Sequence, residues 1–278
     1  LTAAVSPSDA LGTVSFVDGA TPLGSAQVSG GVATLIVNSL TVATHSIGAS
    51  YGGGTFYVGS TAPTVAVTVN RSNTTPAVTS DVSPSIWPAA VTFTATVTPS
   101  AATGTVTFKD SLTTLGSAPL VGGVATFVKS NLSPGAHTQI VATYAGDGCY
   151  NSSTSPSYAQ AVYRSPTTAS IVTDINPSSF GQAIKLTATV SPAGGTNRVT
   201  FFDGGRLIGT VNVNALTGLA TLSVSNLTPG SHDLTVSYAG DARFEPSVSA
   251  GPYAQVVNPS ASALTLSILP SPGSCGTP

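Results

Sequence analysis

The chain has 278 residues, with 8 Lys and Arg against 10 Asp and Glu and a net charge of −2. The length allows one large domain or two to three small ones. Without a basic cluster nothing can neutralise a phosphate backbone, which excludes nucleic acid as a partner, and no apolar run approaches the ~20 residues of a membrane span.

Thr and Ser together exceed a quarter of the residues, and 29 Gly and 20 Pro are spread along the chain. Gly and Pro disfavour long helices, whereas Thr and Val suit a pleated, half-buried surface, so the expectation is all-β. The residues from Leu1 onward do not open with a charged-then-apolar stretch and the chain contains no Met; we read it as a mature product or an excerpt. Cys149 and Cys275 are too few for a disulfide framework and too far apart for a zinc motif.

In chain order, Leu1-Thr2-Ala3-Ala4-Val5 is followed by Gly12-Thr13-Val14-Ser15-Phe16-Val17-Asp18, Leu23-Gly24, Gly31-Val32-Ala33-Thr34-Leu35, His45 and Tyr51. The series returns 92 residues later as Phe93–Val97, Gly104–Asp110, Leu115-Gly116, Gly123–Phe127 and Asn131-Leu132-Ser133-Pro134-Gly135-Ala136-His137, with Tyr144 one residue further on. A third copy follows: Arg198–Asp203, Ile208-Gly209, Gly218–Leu222, Asn226–His232 and Tyr238. A unit of about 93 residues is a domain, too long for a solenoid repeat of ~20–50. Within a unit Val91, Phe93, Ala95 and Val97 alternate with Thr, as do Ile184, Leu186, Ala188 and Val190 with Lys and Thr. A period of two describes strands with one buried and one wet face.

The second unit reads as seven strands, at 76–83, 90–98, 104–109, 113–118, 123–130, 137–145 and 157–163. Seven short strands in such a length predict an immunoglobulin-like β-sandwich. The His-to-Tyr spacing is six in the first and third units and seven in the second, which predicts a β-bulge at Gln139.

The string Gly-Thr-Val-Thr-Phe-x-Asp, Leu-Gly, Gly-Val-Ala-Thr-Phe, Leu-Ser-Pro-Gly-x-His and Tyr-x-Gly-Asp resembles the bacterial Ig-like domain 3 family over almost the entire chain. The resemblance implies tandem immunoglobulin-like β-sandwich domains in an elongated array, as in large secreted or surface-attached proteins, with no family-wide catalytic residue. The first unit departs from the pattern, with Val42-Ala43 for Pro-Gly and Gly54 for the Asp found at 147 and 241.

The matched residues are candidate sites. His45, His137 and His232 occupy one position in three units, so they cannot converge on a single metal ion. We read each as a structural corner, bonding back to the backbone as a corner tyrosine does in related sandwiches. Asp147 and Asp241 stand one per turn, too few for calcium, and are read as turn formers. Asp110 is read as a strand-end charge partner of Lys109. Tyr51, Tyr144, Tyr238, Phe16, Phe108 and Phe201 are expected in the cores, and Trp87, the only Trp, under a linker. No catalytic, cofactor-binding or metal-binding residue is assigned, and no cofactor. Asn70, Asn73, Asn131, Asn151 and Asn226 each begin a glycosylation sequon, unsurprising in so hydroxyl-rich a chain.

The units divide the chain into an Ig-like domain lacking its opening strand at 1–70, complete domains at 71–163 and 164–258, and an opening strand at 259–278. Linkers are expected near 71–75, 164–167 and 258–262. The last segment would supply the strand that the first domain lacks, either as part of a longer covalent array or by strand donation between copies, head to tail. The expected contact joins Leu264, Leu266 and Ile268 to Leu1, Ala3 and Val5. So small a charge fraction suits an assembled surface. The expected function is a non-catalytic extracellular stalk or filament, secreted or attached to the cell surface. The partners are neighbouring Ig-like units, of the same protein or of other copies. The alternative is an adhesin or carbohydrate-binding accessory module that contacts surface glycans.

Overall fold

A computed structural model describes residues 1–267. Ile268 and Cys275 therefore lie outside the described residues. Every element is a strand. The first repeat contains β1 (Thr2–Ala4), β2 (Thr13–Asp18), β3 (Thr21–Gln27), β4 (Val32–Thr34), β5 (Thr44–Tyr51), β6 (Ser60–Thr61) and β7 (Val65–Thr68). The second contains β8 (Thr75–Ser80), β9 (Ser85–Ile86), β10 (Val91–Thr98), β11 (Thr105–Asp110), β12 (Thr113–Pro119), β13 (Val124–Lys129), β14 (Gly135–Tyr144), β15 (Ser153–Thr154) and β16 (Tyr158–Tyr163). The third contains β17 (Thr168–Thr173), β18 (Ser178–Ser179), β19 (Ile184–Ser191), β20 (Arg198–Asp203), β21 (Arg206–Asn212), β22 (Leu219–Val224), β23 (Gly230–Tyr238), β24 (Ser247–Val248) and β25 (Tyr253–Asn258).

Each repeat is built from two sheets. The smaller runs β13-β10-β8 in the second repeat and β17-β19-β22 in the third, but only β1-β4 in the first. The larger runs β12-β11-β14-β16-β9, β18-β25-β23-β20-β21 and β3-β2-β5-β6, with β15, β24 and β7 pairing β14, β23 and β5. By compactness the chain divides into two units, one of Leu1–Ser85, Ala90–Ser130 and Ala136–Ala161, the other of Ile86–Ala89, Asn131–Gly135 and Val162 onward.

The alternating apolar residues fill the space between the sheets, as a period of two requires. In the third repeat Leu186, Ala188, Val199, Phe201, Leu234 and Tyr238 are fully buried. In the first, Val14, Phe16, Ala33 and Tyr51 form the centre, with Leu1, Ala3 and Val5 half-buried beside them.

Two sequence motifs acquire physical reasons. The Leu-Gly pair places Gly24, Gly116 and Gly209 opposite Phe16, Phe108 and Phe201, and the register slips by one residue immediately after each Phe. A Cβ on Gly116 would stand 2.2 Å from the Phe127 ring, so glycine is the only residue that leaves room for that side chain. The Gly of Gly-Val-Ala-Thr has a φ of +80° at Gly123 and +72° at Gly218, the left-handed region. Its carbonyl accepts from Val97 and Val190 respectively, both at 2.8 Å.

The surplus residue of β14 falls one place from where the spacing put it. The Gln139 carbonyl accepts from Ser111 N as those of Ser46 and Asp233 do from Gly19 and Gly204. Gln139 is thus the ordinary neighbour of the histidine in hydrogen-bond terms and Thr138 is the insertion; both side chains are exposed, which breaks the alternation there.

Candidate functional site

The polar groups that recur among the repeats form three constructions, the first present in all three repeats and the other two in the second and third. The first joins the histidine at the start of β5, β14 or β23 to the aspartate that ends β2, β11 or β20. His45 Nδ1 lies 2.6 Å from Asp18 Oδ2, His137 Nδ1 2.7 Å from Asp110 Oδ2, and His232 Nδ1 2.7 Å from Asp203 Oδ2. The other ring nitrogen, Nε2, lies 2.7 Å from the Thr41 carbonyl in His45 and 2.7 Å from the Thr228 carbonyl in His232. A carbonyl and an ionised carboxylate can only accept, so both nitrogens of these two rings carry protons and the ring is an imidazolium. The Thr41 carbonyl, then Asp18, raises the His45 pKa above its ordinary value. For His232 burial works against the charge, but the Thr228 carbonyl and Asp203 outweigh it and the pKa is again raised. Asp18 is correspondingly lowered by the bond from His45.

The bond from the ring to a carbonyl four residues upstream is made in the first repeat even though Val42-Ala43 replaces Pro-Gly. The aspartate is what sequence reasoning missed. Asp110 faces His137 rather than Lys109, because successive side chains of a strand point to opposite faces. The missed signal is a matched Asp at 18, 110 and 203.

The second construction is the turn after the buried tyrosine. Asp147 Oδ2 accepts from Thr103 N at 2.9 Å, while Oδ1 accepts from Cys149 N and Tyr150 N, each at 2.8 Å. The Thr103 amide foremost, with the two loop amides, holds its carboxyl far below the usual range. Asp241 repeats this with Thr196, Arg243 and Phe244 and also accepts from the Tyr238 hydroxyl at 3.1 Å. Burial, and then this carboxylate, pushes the Tyr238 hydroxyl up to about 12. In the first repeat a Cβ on Gly54 would lie 2.4 Å from the Leu11 carbonyl, so no Asp fits. The Tyr51 hydroxyl donates to that same carbonyl at 2.6 Å.

The third construction is a buried glutamine that the sequence reading did not single out. Gln160 and Gln255 are 1% and 0% exposed. Their Oε1 atoms accept from Ser80 and Thr173, each at 2.8 Å, and their Nε2 atoms donate to the carbonyls of Ala161 and Val256, each at 2.9 Å. In the first repeat Val67 takes this place: it faces His45 across the strands as Gln255 faces His232.

Elsewhere, Trp87 is half-buried with Phe244 edge-on at 5.3 Å and the Arg243 guanidinium 5.4 Å above its ring. Leu1, Ala3 and Val5 lie together on the first core, whereas Leu264 and Leu266 are 98% and 86% exposed. Cys149 is an exposed free thiol. Among the described residues no group of three His, Cys, Asp or Glu could hold a metal ion, and no helix is long and apolar enough to cross a membrane.

These features define tandem immunoglobulin-like sandwiches whose repeated polar groups are turned toward one another. The chain belongs to the family described as bacterial Ig-like domain (group 3), whose model matches residues 1–70, 78–163 and 171–258. Such repeats are typically non-catalytic and usually extracellular or at the surface. Among curated proteins there is no match. Among solved structures the chain is similar to the fibronectin(III)-like modules of Clostridium thermocellum CbhA, with 20% identity over 66% of this chain and 95% of that one and a TM-score of 0.28. It is also similar to the full ectodomain (Ig1–Ig3) of mouse nectin-like molecule 4, with 13% identity over 95% and 96% and a TM-score of 0.29.

Proposed function

We propose that the chain is a non-catalytic extracellular structural repeat, part of a stalk or filament in which Ig-like domains follow one another end to end, by covalent continuity or by strand donation. The observation that carries this reading is the employment of the recurring polar groups. The histidines of the first and third repeats have both ring nitrogens engaged inside their own sandwich, and Asp147 and Asp241 close their own turns. A general base or a metal ligand needs a lone pair that can be presented to a substrate or an ion. These groups have none to offer while the fold is intact.

The second reading, a carbohydrate-binding accessory module, is favoured by one surface. Trp87, Asn131, Pro134 and Arg243 line a shallow cleft, an aromatic ring with an amide and a guanidinium beside it. A glycan array probed with the whole chain separates the two. The structural reading expects no glycan retained above background. Binding that Trp87→Ala abolishes, in a chain of unchanged thermal unfolding, would replace it with the carbohydrate-binding one.

A further inference from the structure

The larger sheet of each repeat carries the same hairpin beside its His–Asp corner, but the residue opposite the aspartate changes. Across the turn Asp18 faces Thr21, Asp110 faces Thr113 and Asp203 faces Arg206. Residues paired in this way share one face of a sheet. In the third repeat the hairpin and the segment that leads into β23 enclose a cleft of about 210 Å³, lined by Asp203, Arg206, Ile208, Asn226, Leu227 and His232.

Three polar groups of this cleft have no partner among the described residues. The Arg206 guanidinium makes neither an ion pair nor a hydrogen bond, whereas Arg164 pairs with Glu245 at 3.2 Å and Arg243 lies over the Trp87 ring. Asp203 meets His232 through Oδ2 and keeps Oδ1 free, although the matching oxygen of Asp18 accepts from Ser46 N at 3.0 Å. The Asn226 side chain is exposed and unbonded. Asn131, its counterpart in the second repeat, is likewise unbonded and lines a cleft of its own although a further repeat follows it, so this freedom belongs to the position. Nor do the charges cancel. The His232 ring holds a proton on both nitrogens and balances Asp203, which leaves the charge of Arg206 unmatched.

We infer that this cleft binds a hexuronate, the carboxylate-bearing sugar of an acidic polysaccharide. A guanidinium presents its donors in a planar fork that meets a carboxylate through two parallel bonds. Beside it, a ring hydroxyl donates to Asp203 Oδ1, and the Asn226 amide both donates and accepts. Ile208 and Leu227, packed on the core of the repeat, give the C–H face of the ring an apolar floor. Sites that enclose larger ligands run to about 300–1,000 Å³, so this cleft takes a single ring. A neutral hexose lacks the anion that Arg206 calls for, and acetate leaves Asp203 Oδ1 without a donor. The first two repeats, with Thr21 and Thr113 in the place of Arg206, lack the site. A few hydrogen bonds in a small cleft correspond to a dissociation constant on the order of 1 mM. So weakly held a sugar is not retained on a washed array, and the inference goes beyond the structural reading without opposing it.

The test is an NMR titration of the whole nitrogen-15-labelled chain that follows the Arg206 Nε–H and Asn226 side-chain amide signals. D-Galacturonate is expected to shift both saturably, with a dissociation constant on the order of 1 mM. D-Galactose and acetate are each expected to bind about tenfold more weakly or less. Arg206→Thr, which installs the residue of the other two repeats, is expected to weaken galacturonate about tenfold, and unchanged thermal unfolding shows that the variant folds. Digalacturonate is expected to bind at least as tightly as the monomer; a clear loss would overturn a polysaccharide as the source of the sugar. The absence of a saturable shift, equal binding of galactose, or galacturonate binding that survives Arg206→Thr would overturn the site. None of these results touches the structural reading, which fails on array binding lost with Trp87→Ala.

Discussion

The first and third repeats share a fold but not the chemistry at one side of it. In the third, Thr173, Gln255, Tyr253 and Ser178 form a buried polar group, and Asp241 ties the adjoining turn to Thr196 and Tyr238. In the first, Val67, Val65 and Gly54 hold the corresponding places, and none of them offers a polar side chain. What does not vary is the His–Asp corner, present in all three. The comparison teaches that the corner is common to every sandwich, whereas the buried glutamine and the turn aspartate belong to the second and third alone.

The largest effect is expected from breaking the shared part. His232→Ala leaves Asp203 and the Thr228 carbonyl without their donor in a nearly closed site, and the third repeat should lose about 2–3 kcal/mol in denaturant unfolding. Next comes the part that differs. Gln255→Leu strands the hydroxyls of Thr173 and Ser178 and should cost about 1–2 kcal/mol. Adding Thr173→Val removes the hydroxyl that Gln255→Leu leaves without its amide partner and should recover about half of that loss. At the small end, Lys109→Ala should change stability by less than about 0.5 kcal/mol, because Asp110 belongs to His137.

The pH dependence follows from the raised histidines. A proton held more tightly in the folded state than at the unfolded value of 6.5 stabilises fully below that value. That contribution is lost as pH rises through the folded pKa, so the midpoint of unfolding should fall as pH is raised above 6.5 through the raised value. Asp18, lowered from 3.8, gives the opposite limb: its contribution is present above 3.8 and is lost as pH falls through the lowered value.

Much of this was legible in the sequence because repetition supplies three readings of each position. Phe16, Phe108 and Phe201, or Tyr51, Tyr144 and Tyr238, announce the core by recurring on one face of alternating strands. Of the second repeat's strands, the seven read from alternation lie at the observed places within two or three residues, and the two-residue strands β9 and β15 were too short to show any period. The His–Asp corner was half legible. The histidine is rare enough to notice, but its partner lies 27–29 residues away across an antiparallel pair, and Asp110 follows a lysine that offers a nearer, misleading partner. The buried glutamines were hidden for a simpler reason: Ala-Gln-Ala-Val reads as an ordinary strand, and only the packing reveals that the polar residue points inward. The slip after each Phe was likewise unreadable, since it depends on Phe127 filling the space beside Gly116.

The account stands on the corner histidines being internal cations rather than available bases. A long-range proton–nitrogen NMR spectrum of the whole chain at neutral pH observes this directly. His45 and His232 should each show both ring nitrogens protonated. A neutral tautomer with a free lone pair on either ring would contradict the account.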